Sequence, residues 1–220
     1  RLLVEFGLPG KAKPSSELIL SSPYFVPGAR GVDDFAAMAA AGVRIILLTN
    51  SLEATDVPAV HAGYAKRRVA LLRAGIALYE LRRALVPGAT GRMRRPQGSG
   101  GMAGSGTPAS SASSLHTKAF TVDGERVFIG SFNFDPRSAR LNTEMGLVID
   151  SPALARSMAE VLHRRLAENA YRVRLDDHGN LQWVEMVAGR EVVHDEEPGT
   201  TFWGRLGVSI LSVLPIEWLL

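Results

Sequence analysis

The sequence predicts an α/β fold (an α+β sandwich) in which a mixed, largely parallel sheet is flanked by helices. In the first half of the chain, apolar runs of strand length alternate with helix-forming segments, which is typical of parallel strands connected by helices. Further along, Asp123–Gly124 separates two apolar runs, a strong signal for an antiparallel hairpin. At 220 residues, the chain is expected to form a single domain, residues 1–220.

The first half of the chain contains three predicted strands and two predicted helices. The strands are expected at residues 17–27, 43–49 and 76–81, and the helices at 32–41 and 59–74. Gly42 and Gly75 follow the two helices, at the position where glycine commonly ends a helix.

The second half begins after a segment of different composition. Residues 84–114 are rich in Gly, Ser, Pro, Ala and Arg, and they are expected to form a surface loop within the domain. The predicted hairpin follows, and residues 142–150 are a predicted strand. Ser151 is a predicted helix N-cap with proline after it, and this helix is expected to reach Asn169. A later hairpin is expected to turn at residues 178–180.

The C-terminal segment, residues 202–220, is apolar on nearly every side, and two interpretations are open. It packs against another part of a longer protein, or it lies in a membrane interface with Trp203 and Trp218 as anchors. No apolar stretch in the sequence is long enough to span a bilayer. The chain begins at Arg1 rather than Met, so we expect it to be the interior of a longer protein or a trimmed one.

Composition argues against several kinds of site. The chain has no cysteine, and its five histidines form no close pair with metal-ligand spacing, so neither a metal site nor a cofactor is expected. The formal net charge is only +3, with arginine pairs as the main basic feature. Such pairs usually lie on the solvated surface. The more specific interpretation is that they bind a lipid head group or a nucleic acid.

The stretch "HTKAFTVDGERVFIGSFN" carries a set of side chains suited to a phosphate. His116 and Lys118 are two residues apart on a predicted strand, so they project from the same face. Ser131 and Asn133 follow the partner strand, and the turn between the strands brings the two pairs together. The cation and the neutral donors can hold phosphoryl oxygens while the histidine attacks phosphorus or protonates a leaving group.

A histidine used in this way needs an acceptor that orients its second ring nitrogen. Glu144, in the next predicted strand, is the better candidate. Asp123 is the weaker one, because Asp is expected at a hairpin turn for backbone reasons alone. Taken singly, each of these residues is more often a surface or turn residue, and their combination and spacing favour a site.

The spacing of these residues resembles the HxKx4Dx6GSxN motif of the phospholipase D superfamily. His116, Lys118, Asp123, Gly130, Ser131 and Asn133 fill its six specified positions. The surrounding text, including "SPYFVPG" and "IGSFNFDPRSARLNTEMGLVID", is similar to bacterial cardiolipin synthases of the short type without N-terminal transmembrane helices. The resemblance implies a phospholipase D-like fold and a protein at the cytoplasmic side of the bacterial inner membrane, attached peripherally.

The resemblance also implies a mechanism. Two such motifs meet at a pseudo-twofold interface, where one histidine forms a phosphohistidine and the other protonates the leaving alkoxide. Lys118, Ser131 and Asn133 would bind the phosphoryl oxygens, Glu144 would hold the histidine, and no metal or other cofactor is required. A second motif is absent from these 220 residues. It must come from the rest of a longer protein or from a second copy of this chain, so the role of His116 as nucleophile or general acid stays open.

A further candidate site is a pocket for the lipid head group. His61 and Tyr64 lie at helical spacing just after a predicted strand, where ligands approach a parallel sheet. Tyr24, in "SPYFVPG", also lies at a strand end. An ordinary amphipathic helix explains His61 and Tyr64 equally well.

Three functions are consistent with the sequence. The first is phosphatidyl transfer or phospholipase D hydrolysis of a glycerophospholipid at a membrane surface. The second is a metal-independent nuclease that acts as a homodimer. The low aromatic content of 7% and the lack of a dense basic stripe speak against nucleic acid. The third is a non-catalytic half that binds phosphate or lipid.

Overall fold

Nine strands form one mixed sheet in the part of the chain that this computed structural model describes, residues 13–83 and 115–214. The strand order is β6-β5-β4-β1-β2-β3-β7-β8-β9. The strands are β1 Glu17–Ser21, β2 Arg44–Asn50, β3 Ala77–Leu81, β4 Ala119–Val122, β5 Arg126–Gly130, β6 Gly146–Asp150, β7 Ala170–Leu175, β8 Leu181–Val187 and β9 Arg190–His194. The predicted α/β fold with a mixed sheet is confirmed.

Parallel pairing is found in the three central strands, β1, β2 and β3, where strands and helices alternate. All other neighbouring strands are antiparallel. The helices are α1 Gly28–Ala40, α2 Pro58–Ala65, α3 Arg68–Arg73, α4 Pro136–Arg140, α5 Pro152–Asn169 and α6 Phe202–Val213. Within the described residues, no helix combines the length and the apolar character that crossing a membrane requires.

Both faces of the central sheet are covered, because successive side chains of a strand point to opposite faces. Leu18 and Leu20 of β1 belong to one core with residues of α1 and α3, whereas Ile19 belongs to a second core with Leu166 of α5. The central strands are therefore buried on both sides, which explains their continuous apolar sequence.

Four predicted elements differ from the structure by more than one residue at an end. The helix predicted at 32–41 is α1 Gly28–Ala40, and the strand predicted at 142–150 is the shorter β6 Gly146–Asp150. The predicted strand at 17–27 ends at Ser21, because Pro23 and Pro27 lack the N–H that a strand would donate. The predicted helix at 59–74 is two helices, α2 and α3. Arg67 N donates to Tyr64 O at 2.8 Å, which closes a tight turn between them.

The predicted caps and turns agree closely with the structure. Ser151 Oγ accepts a hydrogen bond from Leu154 N at 3.3 Å, and α5 ends at Asn169 as expected. Asp123 and Gly124 both have positive φ, the pattern of a hairpin turn of the primed type. The loop predicted at 84–114, and residues 215–220 with Trp218, lie outside the described residues.

Candidate active site

The motif residues flank the β4–β5 hairpin at its open end. His116 and Lys118 precede β4, and Ser131 and Asn133 follow β5. Gly130 N donates to Lys118 O at 3.0 Å, so a backbone hydrogen bond joins the two halves of the motif. Since β4 runs antiparallel to β1, this end of the hairpin lies at the carboxyl ends of the parallel strands, where ligands bind in open α/β sheets.

The polar groups of the motif are accessible or unsatisfied. The side chains of His116 and Ser131 are exposed, and those of Lys118 and Asn133 are half-buried. Lys118 Nζ donates to His116 O at 3.3 Å. Asn133 Oδ1 is buried without a hydrogen-bond partner among the described residues. The four motif side chains therefore present an imidazole, a cation and two hydrogen-bonding groups at one region of the surface.

The carboxylate of Glu144 is bound by Ser131 and Asn142, not by His116. Ser131 Oγ donates to Glu144 Oε2, and Asn142 Nδ2 donates to Glu144 Oε1 at 3.2 Å. The expected pair between His116 and Glu144 is not found among the described residues. The strand order explains the difference: Glu144 precedes β6, which adjoins β5, whereas His116 precedes β4, one strand further away.

Asp123 holds the chain where it enters β1, at the far end of the hairpin from His116. Its carboxylate accepts hydrogen bonds from the backbone N–H groups of Ser15, Ser16 and Glu17 at 2.8–3.0 Å, and from both serine hydroxyls. Burial alone would raise the pKa of Asp123, but these hydrogen bonds outweigh it and lower the pKa from 3.8 to about 2. This placement gives Asp123 a backbone function.

Gly130 and Gly146 lie opposite each other on β5 and β6, and the ring of Phe128 packs against both. A Cβ on Gly130 would lie 2.6 Å from Met145 O, and one on Gly146 would lie 2.4 Å from the Phe128 ring. Phe128 itself stacks on Phe120 with ring centroids 4.7 Å apart. Both glycines are therefore needed for packing beneath the site. Gly146 was not identified from the sequence, since a lone glycine in a strand gives only a weak signal.

Tyr24 lies beside the carboxyl end of β1 and is paired with a carboxylate. Its hydroxyl donates to Asp56 at 2.9 Å. Partial burial and this hydrogen bond raise the pKa of Tyr24 to about 12. The phenol is therefore a neutral hydrogen-bonding group over the physiological pH range. Asp56 was not identified from the sequence, because the two residues are far apart in the chain.

His61 and Tyr64 do not line an open pocket in this structure, which differs from the predicted head-group site. They are only 3% and 1% exposed. His61 Nε2 lies 2.9 Å from Glu197 Oε1, and Tyr64 donates to Glu80 at 3.0 Å. Their polar atoms are thus used inside the protein, in agreement with the alternative interpretation of a structural helix.

The partners of these two residues form a buried ionic cluster around Arg68. Arg68 Nε lies 2.8 Å from Glu80 Oε1, and its guanidinium also pairs with Glu197. Trp183 of β8 donates to Glu80 at 2.9 Å. Burial alone would raise the pKa of Glu197, but the Arg68 charge and the His61 hydrogen bond lower it to about 2. The cluster joins α3 to the segment before α6, and a buried charge of this kind gives no local sequence signal.

An apolar surface lies next to the motif. Five large side chains on β5, on β6 and before β6 are between 40% and 80% exposed: Ile129, Leu141, Met145, Leu147 and Val148. Ile129 and Leu147 are opposite each other on β5 and β6 and share one face of the sheet, whereas Val148 points to the other face. Exposed apolar side chains grouped on one face are typical of an interaction surface. Among the described residues, no group of three or more His, Asp or Glu side chains could hold a metal ion.

Comparisons with known proteins identify the family of the chain. The sequence model of the family described as "Cardiolipin synthase, PLD-like domain" matches residues 10–166. The chain is 45% identical to cardiolipin synthase C of Escherichia coli over 94% of this chain and 41% of that protein. It is 31% identical to cardiolipin synthase A of Cronobacter sakazakii over 66% of this chain and 23% of that protein. The chain thus spans less than half the length of these curated relatives.

The fold also resembles a solved structure. The crystal structure of Nuc, a phospholipase D family member from Salmonella typhimurium, superposes with a TM-score of 0.52 at 19% identity. The match covers 79% of this chain and 90% of that one, and at this identity it supports the fold alone. On the match to residues 10–166, the chain belongs to the cardiolipin synthase, phospholipase D-like domain family, which is a family of enzymes.

Proposed function

We propose that this chain carries one of the two motifs of a composite site for phosphatidyl transfer between phospholipids, the chemistry of a cardiolipin synthase. The observation that carries the proposal is the grouping of His116, Lys118, Ser131 and Asn133 around the open end of one hairpin. The identity of 45% to a cardiolipin synthase supports a phospholipid as the substrate class.

The reaction proceeds in two displacements at phosphorus. An imidazole nitrogen attacks the phosphorus of the donor lipid, and the bond between phosphorus and the leaving alcohol oxygen breaks as the second imidazolium protonates that oxygen. The acceptor alcohol then gives its proton to the second imidazole, which is neutral after protonating the leaving oxygen. The alcohol oxygen attacks phosphorus, the phosphorus–nitrogen bond breaks, and the new phosphodiester is released. His116 supplies one of the two imidazoles, as nucleophile or general acid.

The fixed groups of the site stabilise the charge on the phosphoryl oxygens. Lys118 supplies a cation, and Ser131 and Asn133 supply hydrogen bonds through their hydroxyl and amide groups. Ser131 is itself oriented, because Met145 N donates to its Oγ at 3.0 Å. In this structure the single hydroxyl proton of Ser131 is donated to Glu144, so Ser131 donates to a phosphoryl oxygen only when substrate replaces that carboxylate as its acceptor.

The second imidazole comes from another motif-bearing half. His61 is buried in the Arg68 cluster, and His194 pairs with Glu185 at 2.9 Å on β8. His163 lies on α5 and His178 in a turn, so neither is part of a second motif. The apolar surface around Met145 suits the docking of that second half, either from the same longer protein or from a second copy.

Substrate in a bilayer requires contact with a membrane surface. The exposed side chains of α6 include Trp203, Leu206, Ile210 and Val213, spaced by three and four residues along one stripe. The opposite side of the helix, with Val208, packs on the protein. An apolar stripe with a tryptophan at one end suits insertion into the interface of a bilayer. We place this helix at the cytoplasmic side of the inner membrane, attached peripherally.

The activity is tested with the full natural protein that carries this chain, incubated with phosphatidylglycerol vesicles and analysed by mass spectrometry of the lipids. Wild type is expected to form cardiolipin, and His116→Ala to form none above background. His163→Ala, at an exposed histidine of α5, is the matched control and is expected to keep full activity. Cardiolipin formation by a folded His116→Ala protein would exclude the assignment.

The same assay separates the alternatives. Release of phosphatidic acid without cardiolipin identifies hydrolysis. Cleavage of nucleic acid by wild type, with no lipid product, identifies a nuclease.

The membrane contact is tested by flotation with vesicles that contain anionic lipid. Ile210→Glu on the α6 stripe is expected to reduce the bound fraction, because a charge in the interface must stay hydrated. Val161→Glu, at an exposed apolar residue of α5, is the control for added negative charge. Equal binding of both variants would argue that another protein segment covers the stripe.

A further inference from the structure

Two buried polar side chains at the carboxyl ends of the central strands hold the chain on either side of the motif. The first is Asn50, the last residue of β2, which is 2% exposed. Its Oδ1 accepts a hydrogen bond from Leu115 N at 2.9 Å, and its Nδ2 lies 3.4 Å from Leu115 O and from Pro23 O. Asn50 therefore binds the peptide groups of the residue immediately before His116.

The segment that carries His116 and Lys118 depends on such contacts, because residues 115–118 are not part of β4. In addition to the Asn50 contacts, Ser21 Oγ lies 3.5 Å from Thr117 O, at the limit of a hydrogen bond. Gly130 N fixes Lys118 O at 3.0 Å. Lys118 Nζ donates to His116 O itself at 3.3 Å, and Asn50 supplies the shorter of the two side-chain contacts to the residues on either side of His116.

The second side chain is Ser22, which directly follows β1 and is also 2% exposed. Its Oγ accepts a hydrogen bond from Phe134 N at 3.1 Å and donates to Tyr24 O at 2.7 Å. Val26 N donates to Phe134 O at 2.7 Å, which extends the same connection. Phe134 immediately follows Asn133, so Ser22 holds the chain where the motif ends.

A buried amide or hydroxyl lowers stability unless its hydrogen bonds are satisfied. Both side chains satisfy theirs with backbone groups. Asn50 contacts Leu115 and Pro23, and Ser22 contacts Phe134 and Tyr24, so each has one partner that adjoins the motif. An apolar residue at position 50 would leave Leu115 N without this partner. One at position 22 would remove one of the two acceptors of Phe134 N, which also donates to Tyr24 O at 3.1 Å.

We propose that Asn50 and Ser22 are positioning residues of the reaction, Asn50 for the imidazole of His116 and Ser22 for the amide of Asn133. They touch no substrate and act through the backbone. The inference rests on the proposed phosphatidyl transfer, and it assigns a function to two residues outside the motif. A displacement of ~1 Å at a reacting group can lower the rate by ~10²-fold, which is the scale expected here.

The test uses the full natural protein that carries this chain, in mixed micelles of phosphatidylglycerol and detergent, with kcat and KM measured separately. Asn50→Leu keeps the approximate side-chain shape and removes the hydrogen bonds. It is expected to lower kcat by ~10- to 10²-fold with little change in KM, since it misplaces a reacting group. Ser22→Ala is expected to raise KM, because Asn133 binds the phosphoryl oxygens. Ser22→Thr keeps a hydroxyl, so its KM is expected to be close to that of wild type.

Ser51→Ala is the matched control. Ser51 follows Asn50, is equally buried, and its Oγ has no hydrogen-bond partner among the described residues. Its kcat and KM are expected to equal those of wild type. Hydrogen exchange of the peptide that contains Leu115 gives a second measurement, expected to be faster in Asn50→Leu and unchanged in Ser51→Ala.

A folded Asn50→Leu protein with wild-type kcat and wild-type exchange at Leu115 would overturn the inference for Asn50. If that variant does not fold, Ser22→Ala decides, and wild-type KM in it overturns the inference. Wild type that forms no phospholipid product overturns the proposed function instead, so the two failures are distinguishable.

Discussion

Asp123→Asn separates a backbone function of this motif residue from a chemical one. The carboxylate accepts hydrogen bonds from three successive backbone N–H groups, Ser15 to Glu17, and from two hydroxyls. An asparagine has one acceptor oxygen. Its NH2 group would face backbone N–H groups and cannot accept hydrogen bonds from them. We therefore expect the variant to be less stable but to keep the kcat of wild type in its folded fraction.

The size of the effect follows from the pKa. A decrease from 3.8 to about 2 corresponds to ~2.5 kcal/mol for a fully buried group. Because the carboxylate is partly exposed, solvent screening reduces the expected contribution to ~1 kcal/mol. The folded pKa is the lower one, so this stabilisation is complete above pH 3.8 and is lost as the pH falls towards 2.

The assay is urea unfolding of wild type and Asp123→Asn at a series of pH values from 7 to 2.5. The difference in free energy of unfolding is expected to be near ~1 kcal/mol at pH 7 and to shrink below pH 4. Contributions from other acidic groups, such as Glu197, are common to both proteins and cancel in the difference. A variant with wild-type stability but greatly reduced kcat would refute the reasoning and place Asp123 in the chemistry.

Two further predictions concern packing and buried charge. Gly146→Ala is expected to lower stability by ~1–3 kcal/mol, because its Cβ would overlap the Phe128 ring, whereas Gly207→Ala, with open space in α6, is expected to leave stability unchanged or raise it slightly. Thermal unfolding measures both, and equal melting temperatures would contradict the overlap. Arg68→Met is expected to lower stability by ~3–5 kcal/mol, because two buried carboxylates lose their cation. Arg44→Met, at an exposed ion pair, is the control and is expected to cost less than ~1 kcal/mol in urea unfolding.

Local sequence signals predicted much of the fold because the relevant interactions are local. Ser151 followed by proline marks a helix start through a bond to a residue three positions away. Asp123–Gly124 marks a turn through the backbone freedom of those two residues. The division between α2 and α3 was not predicted, because apolar periodicity continues across Arg67 while the backbone turns there.

The sequence predicts a set of site residues, but it does not predict the contacts that these residues make. The motif spacing identified His116 and Ser131, yet the partner of Glu144 depends on the order of β4, β5 and β6 in the sheet. Asn50 is 65 residues from Leu115 in the chain, so no local pattern could identify that contact. Long-range pairing of polar side chains is therefore the part that needed the structure.

The distance between the two ends of the motif has an evolutionary consequence. His116 and Asp123 lie at opposite ends of β4, which at four residues is ~13 Å long. Under the proposed function, mutations at His116 are expected to affect the chemistry, and mutations at Asp123 the assembly of the sheet. A duplicated copy that lost the histidine but kept the aspartate would still fold, and could persist as a partner that supports an active copy.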